Sequence, residues 1–161
     1  MEDLKVVDNN SSEKAEYDTT QFIVIKLGDE QYGVNIQYID NIVRMQHITR
    51  VPKVAPYLKG VINLRGEVIP VMSLRQKMGL EPDEITKATR IIILKLEQHG
   101  TIGIMVDEVK EVVTLNNQEI EKVSYDNKEE RNTFLSGIGK ENGNLISLLD
   151  LNVVVAEKDN A

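Results

Sequence analysis

Apolar positions along this chain fall into short, dense runs separated by polar turns, and the runs occur twice in the same order. Phe22-Ile-Val-Ile-Lys-Leu27 is followed by a turn, then Tyr32-Gly-Val-Asn-Ile36, then Ile39, Ile42 and Val43. Ile91-Ile-Ile-Leu-Lys-Leu96 is followed by a turn, then Ile102-Gly-Ile-Met-Val106, then Val109, Val112 and Val113. A second unit repeats as well. Gly60-Val-Ile-Asn-Leu-Arg-Gly66 with Val68, Ile69, Val71, Met72 and Leu74 aligns without gaps on Gly137-Ile-Gly-Lys-Glu-Asn-Gly143 with Leu145, Ile146, Leu148, Leu149 and Leu151. Runs of this length, rich in β-branched residues and bounded by Gly, Asp and Asn, predict strands joined by tight turns. Two such units in one order predict two similar all-β lobes. Each lobe is expected to close as a small barrel, because an open Ile/Val sheet would leave its edge strands exposed.

The connecting segments are less regular. Tyr38 to Met45 fits a strand or a short helical turn, since Ile39, Ile42 and Val43 also make a helical stripe. Leu74 to Met78 predicts one or two helical turns, stopped by Gly79. The acidic stretch Asn116 to Arg131 reads as a long connection, part helical. Leu148 to Val155 leaves a strand for a closing helix, against the strand preference of Val153-Val-Val155. Residues 1–20 carry too little apolar surface to offset the entropy of ordering and are expected to form a disordered tail. Residues 21–156 form the folded body of two intertwined lobes, and residues 157–161 a frayed end.

Composition narrows the chemistry. Hydrophobic residues at 41% suffice for a core, while aromatics at 4% with no Trp leave Ile, Val and Leu to fill it. A net charge of -7 disfavours nucleic acid and anionic membrane as general partners, although it leaves room for a local basic patch. With no cysteine, disulfides, thiolate metal sites and thiol nucleophiles are excluded. No apolar run is long enough for a membrane span, and the polar N-terminus is no secretory signal, so a cytoplasmic location is expected. His47 and His99 stand apart from any metal-ligating cluster. Carboxylates at Glu81 to Glu84, at Asp107-Glu108 and near Glu121 sit in turns and connections, where solvated charge is the default. Ser136-Gly-Ile-Gly-Lys140 lacks the spacing of a phosphate loop and leads into a strand. No catalytic residue, metal site or cofactor is predicted, which leaves surface for partners.

Arg65 is the leading surface candidate. It lies at the neck of the hairpin Gly60 to Leu74, where it either pins the turn or contacts a partner; one guanidinium can do both. Ile36, Ile39 and Ile42 are either core or one wall of a groove for an apolar helix.

Leu27-Gly-Asp-Glu-Gln-Tyr-Gly33, Ile48-Thr-Arg-Val-Pro52 and Lys59-Gly-Val-Ile-Asn-Leu-Arg-Gly66 with Val68-Ile-Pro-Val71 closely resemble the CheW family of bacterial chemotaxis coupling proteins. Gly103-Ile-Met-Val-Asp107 and Ile146-Ser-Leu-Leu-Asp150 extend the likeness over nearly the whole chain. The resemblance implies a mainly all-β fold: two SH3-like five-stranded β-barrel lobes around a shared hydrophobic core, with short helices. It implies an adaptor without catalysis, bridging methyl-accepting chemoreceptors to the histidine kinase CheA. The receptor's helical cytoplasmic tip is then expected between the lobes. Carried over residue by residue, Ile36, Ile39, Asn41, Gly60 and Arg65 belong to the receptor-facing region and Ile48 and Val68 to a kinase contact. A second kinase contact falls around Glu121 to Tyr125. Many family members carry Glu where this chain has Asn41, and that Glu can pair with the arginine matching Arg65. Here the expected substitutes are a neutral hydrogen bond to Asn41 or a pairing with Asp40. The same domain type also occurs as a regulatory module of larger signalling proteins, the alternative reading; a small-barrel nucleic-acid binder is disfavoured by the charge.

Overall fold

A computed structural model describes residues 18–123 and 134–156. The expected tail up to residue 17, the end from residue 157, and residues 124–133 lie outside the described residues. Strand pairing is already present before the first apolar run: Thr19 and Thr20 pair with Asn116 and Leu115.

The strands are β1 (Thr19–Leu27), β2 (Glu30–Asn35), β3 (Ile39–Arg44), β4 (Leu58–Leu64), β5 (Glu67–Ser73), β6 (Arg90–Leu96), β7 (Gly100–Val106), β8 (Glu108–Asn116), β9 (Glu121–Lys122), β10 (Leu135–Glu141) and β11 (Asn144–Leu149). They form two sheets, ordered β8-β1-β2-β11-β10-β9 and β3-β6-β7-β5-β4. In the repeat, β1 to β5 correspond to β6, β7, β8, β10 and β11. Under that correspondence the two sheet orders are identical, apart from the two-residue β9. The repeats therefore do not fold side by side. Hairpin β1–β2 joins the sheet that holds β8, β10 and β11, and hairpin β6–β7 joins the sheet that holds β3, β4 and β5. Register repeats too: the parallel pairing of Leu148 with Gly33 matches that of Val71 with Gly103.

Thr49 closes the second sheet into a barrel. It lies on the chain leaving β3, and it exchanges two backbone hydrogen bonds of 2.8 Å with Val61 of β4, at the opposite edge. In the first sheet β9 takes the matching place, pairing Glu121 with Ile138. These are the two lobes.

Alternation along each strand divides the side chains between cores. Phe22 and Val24 point with Ile146 and Leu148 into one lobe. Ile91 and Ile93 point with Ile69 and Val71 into the other. The residues between them, Ile23, Ile25, Ile92 and Leu94, enter a third core shared by both lobes. Burial on both faces is why these strands read as unbroken apolar runs rather than as alternating ones.

Tyr38 to Met45 resolves into a 3-10 turn over Ile36–Tyr38 followed by β3. Within the acidic connection, Asn117–Glu119 is a 3-10 turn and β9 follows. Helix α1 (Leu74–Lys77) starts at Ser73, whose hydroxyl accepts from the Gln76 N–H. It ends at Gly79, where Gly79 and Leu80 donate to the carbonyls of Gln76 and Arg75. Helix α2 (Leu151–Val155) forms despite its valines: Asp150 caps it, and Leu151, Val154 and Val155 enter the shared core. Buried Lys77 donates to the Ala156 carbonyl at the end of α2 and sits 4.1 Å above the Tyr57 ring.

One polar contact also spans the lobes. Asp107, between β7 and β8, receives a two-pronged hydrogen bond from Arg75 of α1, its Nε at 2.7 Å, and a 2.8 Å bond from the Gly28 N–H in the β1–β2 turn. Asp107 is thus a bound carboxylate rather than the solvated one its position suggested. Burial raises its pKa, but the bonds from Arg75 and Gly28 outweigh this and hold it below the ordinary 3.8. The resulting stabilisation is complete above the ordinary value and is lost as pH falls through the depressed one. Asp107→Asn is expected to cost about 1–2 kcal/mol at neutral pH, after allowance for partial exposure. It should also flatten the acid limb of stability against pH, measured by urea unfolding across that range.

Candidate docking surface

Ile36, Ile39 and Asn41 follow one another along the 3-10 turn and β3. Asn35 fixes the turn by accepting from the Gln37 N–H at 2.9 Å, and this leaves Ile36 37% exposed. Ile39 is half-buried against the shared core, so it belongs to both the core and the surface. Asn41 is spent locally: its Oδ1 accepts from the Ile42 N–H at 2.8 Å. Asp40 faces Lys95 across 3.5 Å. Neither residue substitutes for the missing glutamate toward Arg65, contrary to expectation.

Gly60 and Arg65 lie on the β4–β5 hairpin. Gly60 is buried and has φ +141°; a Cβ there would stand 2.0 Å from the Thr49 carbonyl oxygen. Its first requirement is the close approach of backbone that closes the lobe. Ile48 abuts the same glycine and packs on the lobe core. A residue expected to face a receptor and one expected to touch the kinase are therefore neighbours. Val68, 64% exposed, follows the hairpin turn.

The turn itself is Arg65-Gly66, with φ +54° and +82°, the two positive values of a type I′ hairpin. Its counterpart in the other lobe is Asn142-Gly143, with φ +51° and +81°. Asparagine tolerates this left-handed backbone readily, whereas arginine adopts it at a cost. Arg65 is exposed, and its side chain makes no hydrogen bond or ion pair with any described residue. It does not pin its own hairpin.

Residues 21–159 match the family model described as the CheW-like domain. The chain belongs to the CheW-like family. It is 36% identical over 135 residues to chemotaxis protein CheW of Bacillus subtilis, covering 84% of this chain and 86% of that protein. It is 33% identical over 149 residues to CheW of Helicobacter pylori, covering 92% and 89%. The crystal structure of the scaffolding protein TtCheW from Thermoanaerobacter tengcongensis superimposes with a TM-score of 0.77 at 30% identity, covering 84% of this chain and 91% of that one. The two SH3-like lobes and shared core that the resemblance implied are the observed architecture.

Two features of the surface went unread in the sequence. One is the Arg75–Asp107 clasp, whose partners are far apart in the chain and carry no local signal. The other is the loop between β3 and β4, where Val51 and Val54 are 42% and 40% exposed. A signal for the loop existed: Asn41 to Gly66 contains Arg44, Arg50, Lys53, Lys59 and Arg65 and no Asp or Glu.

Proposed function

We propose that this protein is a non-enzymatic cytoplasmic adaptor that couples methyl-accepting chemoreceptors to the histidine kinase CheA. Ile36, Ile39, Asn41, Gly60 and Arg65 serve the receptor-facing region, and Ile48 and Val68 a kinase contact. Support comes from membership in a family whose relatives are named chemotaxis proteins and from the likeness to TtCheW, itself a scaffolding protein. The single observation that carries the reading is Arg65. A charged side chain with no partner among the described residues is kept on a backbone conformation that the other lobe gives to Asn142. Such strain is retained where function uses it. A guanidinium at this place can make a bidentate bond to a partner's carboxylate or to carbonyls, while Ile36 and the exposed edge of Ile39 bury apolar helix surface. Signal passes as a shift in the packing equilibrium of the complex rather than as chemistry.

Arg65→Glu is expected to leave the melting temperature unchanged and to weaken capture of a purified receptor cytoplasmic fragment by about tenfold or more. Capture equal to that of the unaltered chain would refute the assignment of Arg65.

A further inference from the structure

We propose that the mouth of the lobe built from β3–β7 is a docking site for an acidic, apolar segment of a partner protein. The loop between β3 and β4, together with residues near Pro82, surrounds a concavity of about 800 Å³. Ile48, Val51, Val54, Leu58 and Ile85 supply apolar lining. Ile85 is 65% exposed, so this surface is left open to solvent by the chain's own folding. That volume lies in the range of formed ligand sites and suits a few side chains of an extended segment.

Charge identifies the occupant. Arg50, Lys53 and Lys59 line the same concavity. None of their side chains makes a hydrogen bond or ion pair with a described residue. The carboxylate among the lining residues, Asp83, is already engaged by the Ser73 hydroxyl. A concentration of cations with no partner among the described residues, in a chain of net charge -7, is a local reversal of sign. It favours carboxylates and steers their approach. The apolar lining asks in addition for aliphatic or aromatic side chains, which a bare polyanion lacks. The loop is also stiffened: Pro52 and Pro56 fix φ, and Lys53 holds a left-handed φ of +60°. A preformed site loses less entropy on binding. This site stands apart from the coupling reading and shares only Ile48 with its kinase contact.

The test is an NMR titration of the ¹⁵N-labelled full chain with an acetylated nonapeptide of Glu, Asp, Leu and Phe. Amide shifts are expected at residues 48–58 and 83–85, with affinity falling by about tenfold between roughly 50 and 300 mM salt. Arg50→Glu and Ile85→Asp, both at exposed positions, are each expected to weaken binding by about fivefold or more with unchanged melting temperature. No shifts in this loop at millimolar peptide would overturn the proposal. So would equal binding of a peptide with Ser in place of Leu and Phe, or of a single-stranded oligonucleotide, because charge alone would then account for it. No kinase is used, so the two readings fail separately: peptide binding without kinase capture would remove the kinase contact and keep this site.

Discussion

Gly60→Ala is expected to destabilise the protein by about 3 kcal/mol or more, seen as a lower urea midpoint. Two effects add. The backbone at φ +141° is closed to residues with a Cβ, and the added carbon would lie 2.0 Å from the Thr49 carbonyl oxygen, a backbone atom that cannot swing aside. Relief requires moving Thr49, which breaks the paired 2.8 Å bonds with Val61 and opens the barrel. Gly143→Ala is the control: its φ of +81° carries strain, but nothing lies within 4 Å of the new atom. It should cost about 1–2 kcal/mol. Equal losses for the two variants would mean that Thr49 is not held against Gly60. Lost receptor binding in a Gly60 variant would therefore report first on the closed lobe, and only Arg65 gives a clean test of contact.

Ile92→Ala is expected to cost about 3–5 kcal/mol and to weaken both lobes together. Ile92 lies on β6, is fully buried, and points into the shared core with Ile25 of β1. Because each sheet is assembled from both repeats, a cavity there cannot be confined to one lobe. Hydrogen exchange should show equal loss of protection in β1 and β2 and in β6 and β7. Loss confined to β6 and its neighbours β3 and β7 would show that the lobes open independently.

Much of this was legible in the apolar pattern. The runs Phe22 to Leu27 and Ile91 to Leu96 are equivalent strands, and Gly60 and Gly137 do mark matching positions: a Cβ at either meets backbone of the segment that closes its own lobe. Intertwined lobes were expected, but which hairpins exchange between sheets was not legible, because period-2 alternation tells which face a side chain takes and not which repeat supplies the neighbouring strand. Val153-Val-Val155 carries strand propensity but is helical, since a capping Asp150 and burial of Val154 and Val155 override a preference of tenths of a kcal/mol per residue. Asp107 looked solvated because Arg75 and Gly28 are brought to it only by the tertiary fold. Arg65 stood out in the sequence as a cation at a hairpin neck; its left-handed backbone and its lack of a side-chain partner among the described residues became visible only in the folded structure.

The most direct measurement is reconstitution of purified CheA with a membrane-borne or templated receptor fragment, with and without this protein, following kinase autophosphorylation. Receptor-dependent stimulation is expected only when the protein is present, with all three components sedimenting together, and Arg65→Glu should abolish the receptor dependence. Binding to neither partner, with autophosphorylation unchanged on addition of the intact chain, would contradict the coupling role.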